Sequence, residues 1–189
     1  MNTFDERHML QLRSTVMDYD GFCRVAVELE WIDVEVQHED WYHAYAHRFP
    51  LGIYLDVFAF PEGYLQSHLP ESYVRAVLSS MAIYEEWDED FWNISKAQRI
   101  LCLTQGKELY KNYAIPREMR LIEHNWEYLE KEIRFFASSN QVPEIKQNEI
   151  FERFSGAAVI EIGGDYSGDY EYLAVKDDLL MLVSCGCWD

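Results

Sequence analysis

Two histidines and a glutamate recur at four-residue spacing in the first third of the chain. Glu39, His43 and His47 would share one face of a helix, because residues four apart are neighbours on a helix surface. Two imidazoles and one carboxylate are ligands that a divalent metal accepts. The segment lacks the flanking signature of a known metalloenzyme, so free histidines on a polar helix face are the alternative reading. We predict no tightly bound metal or other cofactor.

Two further segments contain possible metal ligands but have simpler explanations. Carboxylates and a hydroxyl alternate between Asp165 and Glu171, yet Lys176 occupies the position where a calcium loop starting at Asp165 would need a glutamate. Glycine and aspartate are also what a hairpin turn requires. Cys185 and Cys187 lack the second cysteine pair of a zinc site. No nucleophile elbow, phosphate loop or dinucleotide fingerprint occurs, which favours a protein that is not an enzyme.

The charge of the chain is strongly negative and unevenly distributed. Asp and Glu total 34 against 16 Lys and Arg, a net charge of −18. Residues 1–92 contribute −13, residues 156–189 contribute −6, and residues 93–155 contribute +1. A protein that binds nucleic acid or an anionic membrane needs a basic surface, so both are excluded as partners. The charge favours a basic protein partner.

Ten residues form the predicted partner-binding surface. Between Tyr84 and Trp92 carboxylates are interleaved with aromatics, which can anchor an interface while the carboxylates select a basic partner. A solvated helix end whose aromatics turn into the core is the alternative. The acidic side chains between residues 28 and 40 add further negative charge to the predicted surface. The predicted residues are Glu28, Glu30, Asp33, Glu35, Glu85, Glu86, Trp87, Asp88, Glu89 and Asp90.

Length and composition predict one globular domain spanning residues 1–189. The chain is 49% hydrophobic and 15% aromatic, which suffices for a packed core. Its most apolar run, residues 51–60, is too short for a membrane span and contains Asp56. Residues 1–7 show no basic segment followed by an apolar one, so we expect a cytoplasmic protein.

Periodicity in the first half predicts a mixture of helices and strands. A helix is expected over residues 3–19, followed by a strand from Cys23 that continues to Val36 through a β-bulge near residues 31 and 32. Residues 51–60 are apolar on both alternating sets, as in a strand buried on both faces. Pro70 opens a helix that ends in the acidic run of residues 85–90, and another is expected over residues 95–113.

The second half predicts two helices and then a β-meander. A stripe at helical spacing predicts a helix over residues 119–136, with a core face of Met119, Ile122, Trp126, Leu129, Ile133 and Phe136. A helix over 144–154 precedes strands over 157–162, 170–175 and 179–184. The predicted fold class is therefore α+β, an antiparallel sheet with a C-terminal β-meander packed against a central set of helices.

The segment from Val159 to Tyr172, with the sequence VIEIGGDYSGDYEY, resembles the hairpin of the SUKH superfamily of bacterial toxin-immunity proteins. The resemblance implies an α+β cytosolic protein that binds and neutralises a toxin. The leading hypothesis is thus a non-enzymatic acidic binding protein that occludes the basic site of a nuclease-type toxin, since nucleases need positive clefts. A nucleic-acid mimic, or a small metal-dependent enzyme centred on Glu39, His43 and His47, are the alternatives.

Overall fold

The computed structural model describes residues 4, 6–16, 19–30, 32–41, 51–84, 120–163 and 170–187. Six strands form one antiparallel sheet in the spatial order β1-β2-β6-β5-β4-β3. The last three strands in the chain are neighbours in the sheet, which confirms the predicted meander. The strands are β1 Glu35–Asp40, β2 Leu51–Ala59, β3 Arg120–His124, β4 Ala158–Gly163, β5 Tyr170–Lys176 and β6 Leu179–Cys187.

Helices cover both faces of this sheet. One face packs against the first four helices, α1 Glu6–Val16, α2 Tyr19–Glu28, α3 Tyr64–Ser67 and α4 Leu69–Tyr84. The opposite face packs against α5 Trp126–Ser139 and α6 Glu144–Phe154. The fold class is α+β, as predicted. Among the helices described, none has both the length and the apolar character needed to cross a membrane.

Strand β2 is buried on both faces because its two alternating sets of side chains enter different cores. Ile53, Leu55 and Val57 contact the α5–α6 layer, whereas Phe58 contacts the layer formed by the first four helices. Adjacent side chains of a strand point to opposite faces, so an apolar run of this length must be covered on both. Asp56 lies within this run and is itself buried.

The predicted strand from Cys23 to residue 31 is wrong, because Tyr19–Glu28 is helix α2. Phe22, Ala26 and Leu29 are the buried residues, at spacings of four and three that belong to a helix. The strand begins only at Glu35. The change of parity near residue 32 therefore falls between α2 and β1, and the position of the predicted β-bulge lies before the strand begins.

The predicted helix over residues 119–136 is wrong in its first part. Residues 120–124 form β3, which pairs with β4, and the helix begins at Trp126. Ile122 therefore belongs to a strand, whereas Trp126, Leu129, Ile133 and Phe136 are buried as predicted. The helix predicted over 144–154 is confirmed, and the helix predicted from Pro70 is confirmed as far as Tyr84, since its predicted end at residues 85–90 lies outside the described residues. Met119 and the helix predicted over 95–113 lie outside the described residues.

Candidate acidic interface

The structure exposes the side chains of four of the predicted partner-binding residues, which lie close together in the sequence between residues 28 and 35. Glu28 ends α2, Glu30 and Asp33 lie in the connection that follows, and Glu35 begins β1. All four side chains are exposed. We call these four residues the acidic strip. Its first part is the end of a helix and not the strand that the sequence predicted. The other six predicted residues, from Glu85 to Asp90, lie outside the described part of the chain.

A buried arginine holds the backbone of the acidic strip. Arg75, on α4, is only 3% exposed, and its Nη2 donates a hydrogen bond to the carbonyl oxygen of Glu30. Burial raises the pKa of the nearby Tyr64 hydroxyl, and the Arg75 guanidinium opposes this rise. A hydrogen bond between a charged donor and a buried carbonyl is among the stronger ones in proteins. The strip is therefore fixed to the helical layer at Glu30.

Strand β1 is tied to β2 by an imidazole–carboxylate pair. His38 lies opposite Asp56 in the register, and His38 Nδ1 is 2.5 Å from Asp56 Oδ1. Asp56 is 3% exposed, and a buried carboxylate is costly unless it is hydrogen-bonded. The His38 ring also stacks on Tyr54, with ring centroids 6.4 Å apart. The sequence signal for this pair was the lone aspartate within the apolar run of β2.

On the other face of the sheet, β1 is tied to α6. Glu39 accepts hydrogen bonds from Lys146 Nζ at 2.5 Å, Trp41 Nε1 at 3.1 Å and Gln37 Nε2 at 3.2 Å. Arg153 Nη1 donates to Gln37 Oε1 at 2.7 Å. Burial alone would raise the pKa of the Glu39 carboxyl, but hydrogen bonds from Lys146, Gln37 and Trp41 outweigh it and lower the pKa.

These contacts correct the predicted metal-binding helix. Glu39 lies on β1, so it cannot share a helix face with His43 and His47, which lie outside the described residues. Its carboxylate is engaged by Lys146, and a cation there competes with a metal ion. Across the described ranges, no group of three or more His, Cys, Asp or Glu side chains could hold a metal.

The lowered pKa of Glu39 predicts a pH-dependent contribution to stability. A carboxyl group whose pKa is lower in the folded chain than in the unfolded chain stabilises the fold at pH values above the unfolded pKa. This contribution is lost as the pH falls through the folded pKa. Lys146→Met should therefore destabilise the protein at pH 7, by about 1 kcal/mol or less because Lys146 is 47% exposed. The difference from wild type should shrink below the ordinary glutamate pKa. Urea unfolding at several pH values tests this, with Lys131→Met on α5 as control. A difference that stays constant with pH would contradict it.

A second imidazole–carboxylate pair lies near the opposite edge of the sheet. His124 Nε2 is 2.7 Å from Glu161 Oε2, joining β3 to β4. The His124 ring stacks on Tyr128 with centroids 4.1 Å apart and meets the buried Tyr172 edge-on. No local sequence pattern indicates this cluster, since its members come from four separate elements. Its contacts are those of a packed structural pair.

Comparisons with protein-family models, with curated proteins and with solved structures give no significant match.

Proposed function

We propose that the chain is a non-enzymatic acidic binding protein that covers the basic site of a partner protein, in the manner of an immunity protein for a nuclease-type toxin. The observation that carries the proposal is the acidic strip, whose four carboxylate side chains are exposed while its backbone is held at Glu30 and the adjoining strand β1 is anchored. A preorganised surface loses little conformational entropy on binding, which favours affinity. Exposed carboxylates also attract a basic partner over a distance.

The distribution of charge supports the same proposal. The acidic strip belongs to residues 1–92, whose net charge is −13, while residues 93–155 are nearly neutral. The segment Glu85 to Asp90 belongs to the same acidic part of the sequence and is included in the proposed surface. A nuclease must present a positive cleft to its substrate, so a negative protein surface is complementary to it. A nucleic-acid mimic would use this surface in the same way.

The resemblance to SUKH immunity proteins adds a second line of support. The strands that carry it, β4 and β5, pair antiparallel, with Ala158 opposite Val175 and Glu161 opposite Tyr172. The pair is a central part of the sheet and not an appended hairpin. The metal-dependent alternative gains no comparable support, because Glu39 is held by Lys146.

A capture experiment with matched variants tests the proposal. The strip variant carries Glu28→Gln, Glu30→Gln, Asp33→Asn and Glu35→Gln. The control variant removes the same number of charges from exposed positions of α5 and α6, with Glu127→Gln, Glu144→Gln, Glu149→Gln and Glu152→Gln. Immobilised wild-type protein should retain a basic protein from native lysate and release it as salt rises. The control variant should retain as much of it as wild type does, and the strip variant should retain less and release it at lower salt.

The captured protein then provides the functional readout. We expect it to bind duplex DNA or heparin when free and to lose this binding when saturated with the wild-type chain, because both would occupy its positive site. A captured protein that binds the polyanion equally well in both conditions would contradict occlusion. Equal capture by the strip variant would show that the acidic strip is not the interface.

A further inference from the structure

Strand β1 has one edge that no other strand of the described sheet covers. It is the first strand in the spatial order, and β2 is its neighbour on the other side. Trp41 N donates to Ile53 O at 3.0 Å, and the register is unbroken from there to Glu35. Along an antiparallel strand, residues whose N–H and C=O groups bond to the neighbouring strand alternate with residues whose N–H and C=O groups point away from it. The amide and carbonyl of Gln37 therefore face β2, whereas those of Val36 face the open edge.

Apolar and acidic side chains alternate over residues 32–36, of which only Glu35 and Val36 belong to β1. Ile32 and Val34 pack against the core, and Val36, the next residue of the same set, is 44% exposed. Asp33 and Glu35, on the opposite set, are both exposed. Cross-strand neighbours stabilise strand pairing most when apolar residues face apolar residues and charged residues face residues of opposite charge. A segment that fits beside Glu35, Val36 and the residues just before them would thus alternate apolar and basic residues.

Acidic charge, and not lysine or proline, protects this edge against pairing with other strands. Neither lysine nor proline occurs in Glu35–Asp40, whereas Glu35, Glu39 and Asp40 are acidic. Pairing with a second copy of the chain is opposed by charge, because each copy carries −18 and would bring Glu35 against another acidic edge. A basic segment has no such penalty. The contacts of Glu39 and His38 already hold β1 in place, which lowers the ordering cost of adding a strand.

We propose that β1 binds an extended segment of its partner, with alternating basic and apolar residues, as a seventh strand at the edge of the sheet. The inference rests on the proposed function and names the part of the partner that is recognised. Main-chain hydrogen bonds to Val36 would supply affinity, and the basic residues beside Asp33 and Glu35 would supply specificity. The charge of the acidic strip would attract the partner before the strand pairs.

The test uses a synthetic six-residue peptide of alternating lysine and valine, matched to the six residues of β1. Val36→Pro removes the outward amide and leaves the β1–β2 ladder intact, because proline is tolerated on an edge strand where its missing N–H would face solvent. Val36→Thr is the control, since it changes the side chain but keeps the amide. We expect at least a tenfold loss of affinity for Val36→Pro and less than a threefold change for Val36→Thr.

A second measurement on the wild-type protein does not depend on how the variant folds. Residue-resolved hydrogen exchange should show slower exchange of the Val36 amide on peptide binding, and a peptide with N-methylated valines should neither bind nor protect it. Equal binding of both peptides, with no change at Val36, would overturn strand pairing. If the lysine–valine peptide then still lost affinity for the strip variant, the proposed charge-based function would stand without strand pairing. If the peptide bound the strip variant as tightly as wild type at low salt, the proposed role of the acidic strip in binding a basic partner would be refuted.

Discussion

Replacement of Trp126 by alanine is expected to lower the free energy of unfolding by about 3–5 kcal/mol, the usual cost of removing a large aromatic side chain from a core. Trp126 is buried at the start of α5, and its ring meets Phe151 and Phe154 of α6 at centroid distances of 6.1 and 5.9 Å. Its Nε1 also donates to Glu130 at 2.9 Å. Truncation would leave a cavity between the two helices and the sheet, and it would remove this hydrogen bond.

Urea unfolding monitored by circular dichroism measures the effect, with Phe135→Ala as the control. Phe135 lies on the same helix but is 60% exposed, so the same kind of truncation should cost less than about 1 kcal/mol. Two variants with similar losses would show that the cost comes from the helix and not from burial. A loss below about 1 kcal/mol for Trp126→Ala would contradict the packing described for α5 and α6.

Local sequence patterns were sufficient where a segment's burial agrees with its own periodicity. Helix α6 was predicted at residues 144–154 and occupies Glu144–Phe154, with Ile150, Phe151 and Phe154 buried along one side. Strand β2 was predicted from two alternating apolar sets, and the structure buries both. In these segments propensity, pattern and tertiary packing agree, so the prediction needed no information from distant residues.

Helix α2 shows how a pattern can fit two periods at once. Cys23, Val25 and Val27 alternate with polar or small residues, which is typical of a strand, and valine favours strands. Phe22 and Ala26 also lie four apart, and the structure buries both against α1 and α4, whereas Cys23, Val25 and Val27 are half-buried. Tertiary packing decides between the helical and the strand period, and the local sequence does not indicate which of the two is adopted.

The boundary between β3 and α5 was missed because an apolar stripe continued by chance across it. Ile122 and Trp126 are four residues apart, but Asn125 lies between them as an N-cap, and its side chain accepts a hydrogen bond from Tyr128 N at 2.9 Å. Asparagine is among the best N-cap residues, so this signal was present in the sequence. The pairing of β3 with β4, by contrast, depends on residues almost forty positions apart, such as His124 and Glu161.

The composition of the acidic strip could be predicted from the sequence, but its anchors could not. Charge counts and exposure of carboxylates follow from residue type alone. The Arg75–Glu30 contact spans 45 residues and the Arg153–Gln37 contact spans 116, and each depends on how separate layers pack. Glu39 illustrates the consequence. In the sequence it is one more carboxylate, whereas in the fold it makes the anchoring contact with Lys146.

The strip variant is expected to associate with the captured partner about tenfold more slowly than wild type at low salt, since electrostatic steering typically raises association rates about 10- to 1,000-fold. Its four substitutions keep side-chain size while removing charge from exposed positions, so the fold and most short-range contacts should be retained. The dissociation rate should change by less than about threefold, because charges at the rim of an interface act mainly on association.

Salt dependence and the matched control determine whether this slowing is local. Wild type and strip variant should converge in association rate near 1 M salt, where the screening length falls to about 3 Å. The control variant on α5 and α6 carries the same net charge as the strip variant, and it should associate nearly as fast as wild type. Equal slowing of both variants would mean that the partner responds only to the overall charge of −18. Equal speed of all three proteins at low salt would mean that Glu28, Glu30, Asp33 and Glu35 face solvent in the complex.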